Sequence, residues 1–346
     1  MIVPEFWKNE TPAVDPKDNT IDCGDLDLSD DTHRQTLRDK MRDIFDRTGF
    51  VVVTNTGLTS MVDMQNIAKF IVEAPMTYTG GANKRNGIVE NVYETGAPKE
   101  AHLQYHHELA YLSKSTKMLG FCCDYAVNNK GWTFVSDQVG LTEAFLKTDL
   151  GQKLKEKGLC YIRHMTDEAA YVNADESGVY NHWQKSFGTS DVEEVEKLCK
   201  ERGLVCEWGP DPTGRPGRCL TTKFYASAYE YCPATDKNIM FSSIADHYLW
   251  FDTWPGLRDI PTHLRPLQMK FGDDTDINED ELRAWIDIYD QFGVPIKWKA
   301  GDIAVICNWR WAHGRPAYTL EEGERRNLGV LLGETFDRVG PLEGKW

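Results

Sequence analysis

His106 and Glu108 stand two residues apart in the string QYHHELAY. In an extended strand such a pair points to one face, so an imidazole nitrogen and a carboxylate could meet at one metal ion, while His107 would point away. Alone the pair is a weak signal, because nine histidines among 54 acidic residues give about one H-x-E by chance. His107 and Glu108 also begin an H-E-x-x-H string of the zinc-protease kind. Tyr111 holds the place of its second histidine, and the stretch reads as extended rather than helical, so that reading fails.

A third ligand comes from the far end of the chain. In GDIAVICNWRWAHGRP a Gly-Asp turn opens a strand, a bulky segment follows, and His313 precedes a further strand headed by Arg325 and Arg326. Two histidines and one carboxylate on neighbouring strands leave three metal positions open, a set that suits non-haem Fe(II). A structural zinc site would instead be closed by four protein ligands. The same three residues would also serve a zinc or manganese hydrolase, and a jelly-roll binding protein could keep the fold without the chemistry.

The ordered set HHELAY, GWTFVSD, HWQKSFGTSD, GD, Asn308, HGR and RR resembles the taurine dioxygenase and clavaminate synthase-like group of Fe(II)/2-oxoglutarate oxygenases, over roughly residues 50–338. The resemblance implies a double-stranded β-helix, a jelly-roll core with flanking helices. It implies His106, Glu108 and His313 as catalytic iron ligands, with Glu where many relatives have Asp, as in the clavaminate synthase branch. It further implies 2-oxoglutarate as cosubstrate, its far carboxylate held by Arg326 and by Thr133 of GWT. A guanidinium meets a carboxylate with two prongs. Arg326 lies thirteen residues past His313, a little farther than usual in the group, and LEEGE lengthens the turn between them. Arg325 should face the other side of its strand.

The implied reaction couples decarboxylation of 2-oxoglutarate to succinate and CO2 with dioxygen-driven oxidation of an unactivated C–H. Hydroxylation, desaturation and ring closure are all open to such chemistry. Arg310, Arg315, Lys84 and Arg85 lie close in sequence to site elements and are candidates for an anionic substrate group. Relatives that bind a substrate anion four residues past the cosubstrate arginine have no counterpart here, because Val330 holds that place. The texture resembles eukaryotic secondary-metabolite members acting on amino-acid-derived small molecules, with kainoid-type cyclisation among the reactions implied. Asn308 is expected to fix the turn ahead of His313, and Trp183, Gln184 and Phe187 to fill core or line the pocket. His102, His164, His182 and His247 are expected to be ordinary polar or core residues.

The elements that must position these groups show in the hydrophobic pattern. Leu37, Met41, Ile44 and Phe45 recur at helical spacing, and Gly49 ends that helix before the buried strand FVVV. A second helical pattern spans about Ser60 to Glu73, before the loop GGANKRNG. IVENVY, LQYHHELAY, MLGFCCDY and WTFV then read as strands. The middle reads as helical, with capping boxes at Ser190/Glu193 and Asn278/Glu281, and VPIKW, DIAVICNW and RRNLGVLLGE return to strand. The expectation is one oxygenase domain over residues 1–346, with core strands at about 50–137 and 295–338 and a helical insertion at about 140–292.

Composition sets the bounds. The 346 residues carry 39 Lys+Arg against 54 Asp+Glu, a net charge of -15, which argues against nucleic acid or an anionic membrane as partner. Nine cysteines without C-x-x-C spacing, several inside apolar runs, suggest reduced thiols and a cytoplasmic setting. No apolar run reaches the length of a membrane helix, and the start lacks the pattern of a secretion signal. A small-molecule substrate and dioxygen are the expected partners.

Overall fold

The computed structural model describes residues 16–77, 85–170, 182–211 and 214–346. Lys84, one of the substrate candidates, lies outside them. The chain opens with β1 (Thr20–Asp22), α1 (Asp31–Thr48), β2 (Phe50–Thr54) and α2 (Met61–Ala68). Asp30 caps α1 by accepting from Thr32 and His33 amides, and Gly49 ends it in the left-handed region at φ 69°. Short strands follow: β3 (Gly87–Val89), β4 (Val92–Glu94), β5 (Leu103–His106), β6 (Lys114–Thr116), β7 (Met118–Tyr125) and β8 (Thr133–Asp137).

The middle holds α3 (Gln138–Phe145), α4 (Asp149–Lys157), β9 (Leu159–Met165), α5 (Trp183–Phe187), α6 (Val192–Glu201), β10 (Val205–Pro210) and β11 (Arg218–Ala226). It continues through β12 (Tyr229–Cys232), β13 (Lys237–Met240), β14 (Leu267–Phe271) and α7 (Glu279–Gln291). The expected helical insertion is therefore mixed: β9, β10, β11 and β14 form a four-stranded antiparallel sheet, and β12 pairs with β13. β11 alternates buried and half-buried residues, and its polar Thr221, Thr222 and Lys223 mask the strand in the sequence. The α6 cap is also one residue later than expected: Asp191, not Ser190, accepts from the Glu193 amide. The Asn278/Glu281 capping box on α7 is present.

The chain closes with β15 (Gly293–Ile296), β16 (Ile303–Cys307), β17 (Trp311–Arg315), β18 (Asn327–Leu332) and β19 (Thr335–Asp337). Two sheets built from both ends of the chain form the double-stranded β-helix. One has the order β1-β2-β16-β7-β18-β4-β3, the other β15-β8-β17-β5. Their inner faces share one apolar core, in which Phe121, Leu328 and Val330 of the first meet Val135, Val294 and Ile296 of the second. Residues of α1 and α2, including Leu37, Met41 and Met64, cover the outer face of the larger sheet. All nine cysteines are free thiols, and among the described residues no helix is long and apolar enough to cross a membrane.

Candidate metal centre and cosubstrate pocket

The smaller sheet sets the first part of the site by register. His313 on β17 pairs directly with His106 on β5 and with Val135 on β8. Directly paired residues share a face, and Thr133, two before Val135, shares it too. His106, His313 and Thr133 thus line one cavity.

Glu108 joins them by a different route from the one expected. β5 ends at His106, and the chain turns, with the His107 amide bonded to Ser242 O at 2.9 Å and Leu109 at φ 58°. Asn308, completely buried, grips this turn rather than only its own. Its Oδ1 accepts from the Glu108 amide at 2.9 Å, and its Nδ2 donates to Glu108 O at 3.2 Å and Thr116 O at 2.8 Å. His107 points away, as expected, with Nδ1 at Ser242 O and its ring stacked on Phe241.

Ligand atoms of His106, Glu108 and His313 lie within 4.8 Å of one another, and all three residues are buried. Nε2 of each histidine is 4.0 Å from Glu108 Oε2, too far for a hydrogen bond. Nδ1 of His106 lies 2.9 Å from Gln104 O; donating there leaves the Nε2 lone pair directed at the cluster. Burial holds both imidazoles below the usual histidine range, which keeps them neutral and ready to ligate. The donor set, two neutral imidazoles and one carboxylate, fits Fe(II).

The larger sheet supplies the opposite wall. Leu328 and Val330 of β18 line the cavity with Phe121, and so does Arg326, which stands just ahead of β18 with a bulge at Asn327/Leu328 between them. Arg325 points elsewhere, although neither arginine is on a strand as expected: it lies over the Tyr125 ring at 4.2 Å and lines a separate surface hollow. Arg326 Nε donates to Gly131 O at 2.9 Å, and its Nη2 is buried without a hydrogen-bond partner. Gly131 makes room for it: a Cβ there would come within 2.8 Å of Arg326 Cδ, and its φ of 69° favours glycine. A buried guanidinium nitrogen with nothing to bond calls for an acceptor, and the far carboxylate of 2-oxoglutarate is one. Thr133 Oγ1 accepts from Trp298 Nε1 at 3.0 Å, which leaves its own hydrogen to donate.

The other candidates sort by contact. Arg310 is tied to Asp137 through Nε at 3.1 Å and Nη2 at 3.0 Å. Arg315 lines the cavity but donates to the carbonyls of Ala97, Pro98, Lys99 and Pro316, so it fastens a loop. Burial, then the charge of Arg326, pushes its pKa down to about 10. Arg85 does reach the centre, with Nη2 2.9 Å from Glu108 Oε1. Trp183 and Phe187 are core, and Gln184 bonds Asp167. His182 and His247 accept from nearby backbone amides, His102 accepts from the Ala317 amide and His164 pairs with Thr221 Oγ1, so all four make structural bonds. No sequence signal marks the Arg85–Glu108 pair or the Asn308 clamp, since both join distant segments.

A jelly roll that places two histidines, a carboxylate and a buried arginine around one cavity has the architecture of an Fe(II)/2-oxoglutarate oxygenase. The chain matches the model of the Taurine catabolism dioxygenase TauD, TfdA family over residues 11–332, and it belongs to that family. It is therefore a non-haem Fe(II)- and 2-oxoglutarate-dependent dioxygenase. It is 23% identical over 300 residues to the clavaminate synthase-like protein of Arabidopsis thaliana, covering 86% of this chain and 85% of that protein. Among solved structures it is similar to a taurine dioxygenase from Burkholderia xenovorans, with 13% identity, 90% and 83% of the two chains covered and a TM-score of 0.47. It is also similar to PvcB from Pseudomonas aeruginosa, with 12% identity, 86% and 79% covered and a TM-score of 0.45. Family membership leaves the hydrolase and binding-protein readings without support.

Proposed function

We propose that this single-domain enzyme oxidises an unactivated C–H of a small, amino-acid-derived metabolite, by hydroxylation, desaturation or ring closure of the kainoid type, with release of succinate and CO2. His106, Glu108 and His313 hold Fe(II), and Arg326 with Thr133 holds the far carboxylate of 2-oxoglutarate. The bound metal and cosubstrate supply the oxidising power from dioxygen. The chain's own residues bind, orient and exclude water. Gln104 O fixes the His106 tautomer, Asn308 fixes the Glu108 backbone, and Phe121, Leu328 and Val330 keep the wall apolar.

The observation that carries this reading is the convergence of the three ligand atoms, within 4.8 Å, on a cavity that Arg326 also lines. The amino-acid-derived substrate class rests on the resemblance to secondary-metabolite members and on the cationic lining. The test is succinate release from 2-oxoglutarate by anaerobically Fe(II)-loaded protein on admission of dioxygen, across a panel of amino acids and N-alkylated amino acids. Stimulation by a panel member, with a matching mass change in it, is expected. Hydrolysis of panel esters or amides without succinate would refute the proposal.

A further inference from the structure

Tyr318 sits where two of the arginines that line the cavity come together. Its ring centroid is 5.2 Å from Arg326 Cζ and 5.0 Å from Arg315 Cζ, so one aromatic ring lies against both guanidinium groups. Gly131, whose carbonyl accepts from Arg326 Nε, belongs to the same meeting point. A Cβ there would stand 2.8 Å from Arg326 Cδ and 3.6 Å from Tyr318 Cδ2.

The lengthened turn between β17 and β18 carries this ring and is tied at both ends. The Tyr318 amide donates to Lys99 O at 2.9 Å, a carbonyl that Arg315 Nη1 also reaches at 3.4 Å. Farther along, the Glu321 amide donates to Glu324 Oε2 at 2.8 Å, and the same oxygen is 2.6 Å from Lys130 Nζ. Lys130 precedes Gly131, so the segment LEEGE is clipped beside the carbonyl that Arg326 uses. An aromatic face attracts a cation, more strongly away from water, and it consumes none of the N–H donors. It also offsets the repulsion between two guanidinium groups brought to one place. A guanidinium fixed beforehand loses less rotamer freedom when it meets a carboxylate.

Resting on the reading that Arg326 receives the far carboxylate of 2-oxoglutarate, we propose that Tyr318 is a positioning residue for that arginine. Its ring holds the guanidinium beside Gly131 and leaves the buried Nη2, which has no hydrogen-bond partner, free to donate to the carboxylate. The π face carries this role, and the phenol hydroxyl takes no part in it.

Isothermal titration of 2-oxoglutarate into the full, Mn(II)-loaded chain tests this. Tyr318→Leu keeps apolar bulk without a π face and should raise the Kd by about five- to tenfold. Tyr318→Phe keeps the face and should bind within about twofold of wild type. 2-Oxopentanoate has the same keto-acid end but lacks the far carboxylate, and it should bind wild type and Tyr318→Leu alike. Steady-state assays of the leucine variant should show a raised 2-oxoglutarate KM with kcat nearly unchanged. Tyr318 is half-buried in a loop, so Tyr318→Ala serves as a second truncation, with circular dichroism checking the fold of each variant. An unchanged Kd in the truncated variants overturns the proposal. So does an equal loss of 2-oxopentanoate binding, or a loss in Tyr318→Phe as large as in Tyr318→Leu. Arg326→Gln separates the two readings. If it binds 2-oxoglutarate as wild type does, the anchor reading falls and this proposal with it, whereas a loss there with none in Tyr318→Leu overturns the role of Tyr318 alone.

Discussion

Asn308 and Glu108, two hundred residues apart, are joined twice: the Glu108 amide donates to Asn308 Oδ1 at 2.9 Å, and Asn308 Nδ2 donates to Glu108 O at 3.2 Å. The main chain of Glu108, just beyond the end of its strand, is thus held by a side chain a few residues upstream of the distal histidine. Asn308→Ala would leave the Glu108 amide unpaired in a buried site and weaken the hold on Thr116 O. A stability loss of about 1–3 kcal/mol is expected in urea unfolding, together with weaker Mn(II) binding. Asn308→Asp should be no better, because it puts an oxygen against the Glu108 and Thr116 carbonyls. Wild-type metal affinity in both variants would show that Glu108 is positioned by something else.

The histidines give a sharper expectation. Either His106→Ala or His313→Ala removes one of three donors, and the remaining pair cannot hold a first-row ion with comparable strength. Turnover should fall to background and Mn(II) affinity should drop by at least about a hundredfold. Calorimetry with Mn(II), alongside circular dichroism to check folding, measures this. Full activity in either variant would refute the ligand assignment.

Parts of this site are legible in the sequence because their causes are local. The apolar runs of β7, β16 and β18 read directly as strands, whereas Arg325 and Arg326 fall just ahead of β18 and a bulge at Asn327/Leu328 follows them, so strand alternation is not what sets their opposite directions. The α7 capping box is equally plain, since Asn278 and Glu281 need only each other. Glu108 was readable as a partner of His106, but the expected continuous strand is not what joins them. The turn at Leu109 depends on Asn308, and nothing near Glu108 announces it. The Arg85 pairing is likewise long-range, and the middle sheet hides because polar Thr221, Thr222 and Lys223 interrupt the apolar pattern of β11 and β10 has no buried position. Where a distant contact sets the conformation, local pattern does not carry the information.

Arg326 and Gly131 make a paired prediction about the cosubstrate. Arg326→Ala removes the buried Nη2 and should raise the 2-oxoglutarate KM by tenfold or more, on the order expected for a charge-assisted bond, with a smaller change in kcat. Gly131→Ala should act in the same direction, since its Cβ would press on Arg326 Cδ and Nε from 2.8 and 2.9 Å. Steady-state succinate assays across 2-oxoglutarate concentrations measure both. An unchanged KM in Arg326→Ala would move the anchoring role to another cation.

Asp246 provides a pH test of the scaffold beside the centre. It follows Ser243, whose backbone bridges to His106, and its Oδ2 is buried without a hydrogen-bond partner. Burial raises its pKa from 3.8 to about 7, against the pull of the Ser243 bond and Arg163. Between those two values the folded chain holds a proton there that the unfolded chain has lost. The contribution of this group to stability therefore falls as pH rises from about 4 to 7, and above 7 a charged carboxylate must be buried. His107 and His247, lowered by burial to about 3 and about 4, push the other way below pH 6.5, but they are common to wild type and variant and cancel in the difference. Asp246→Asn should accordingly gain about 2–4 kcal/mol relative to wild type between pH 4 and pH 8. Urea midpoints of the metal-free chain at those two pH values measure it. If wild type gains on the variant instead, Asp246 is ionised in the folded chain and stabilised by Arg163, and the buried carboxyl is a counter-ion rather than a neutral acid.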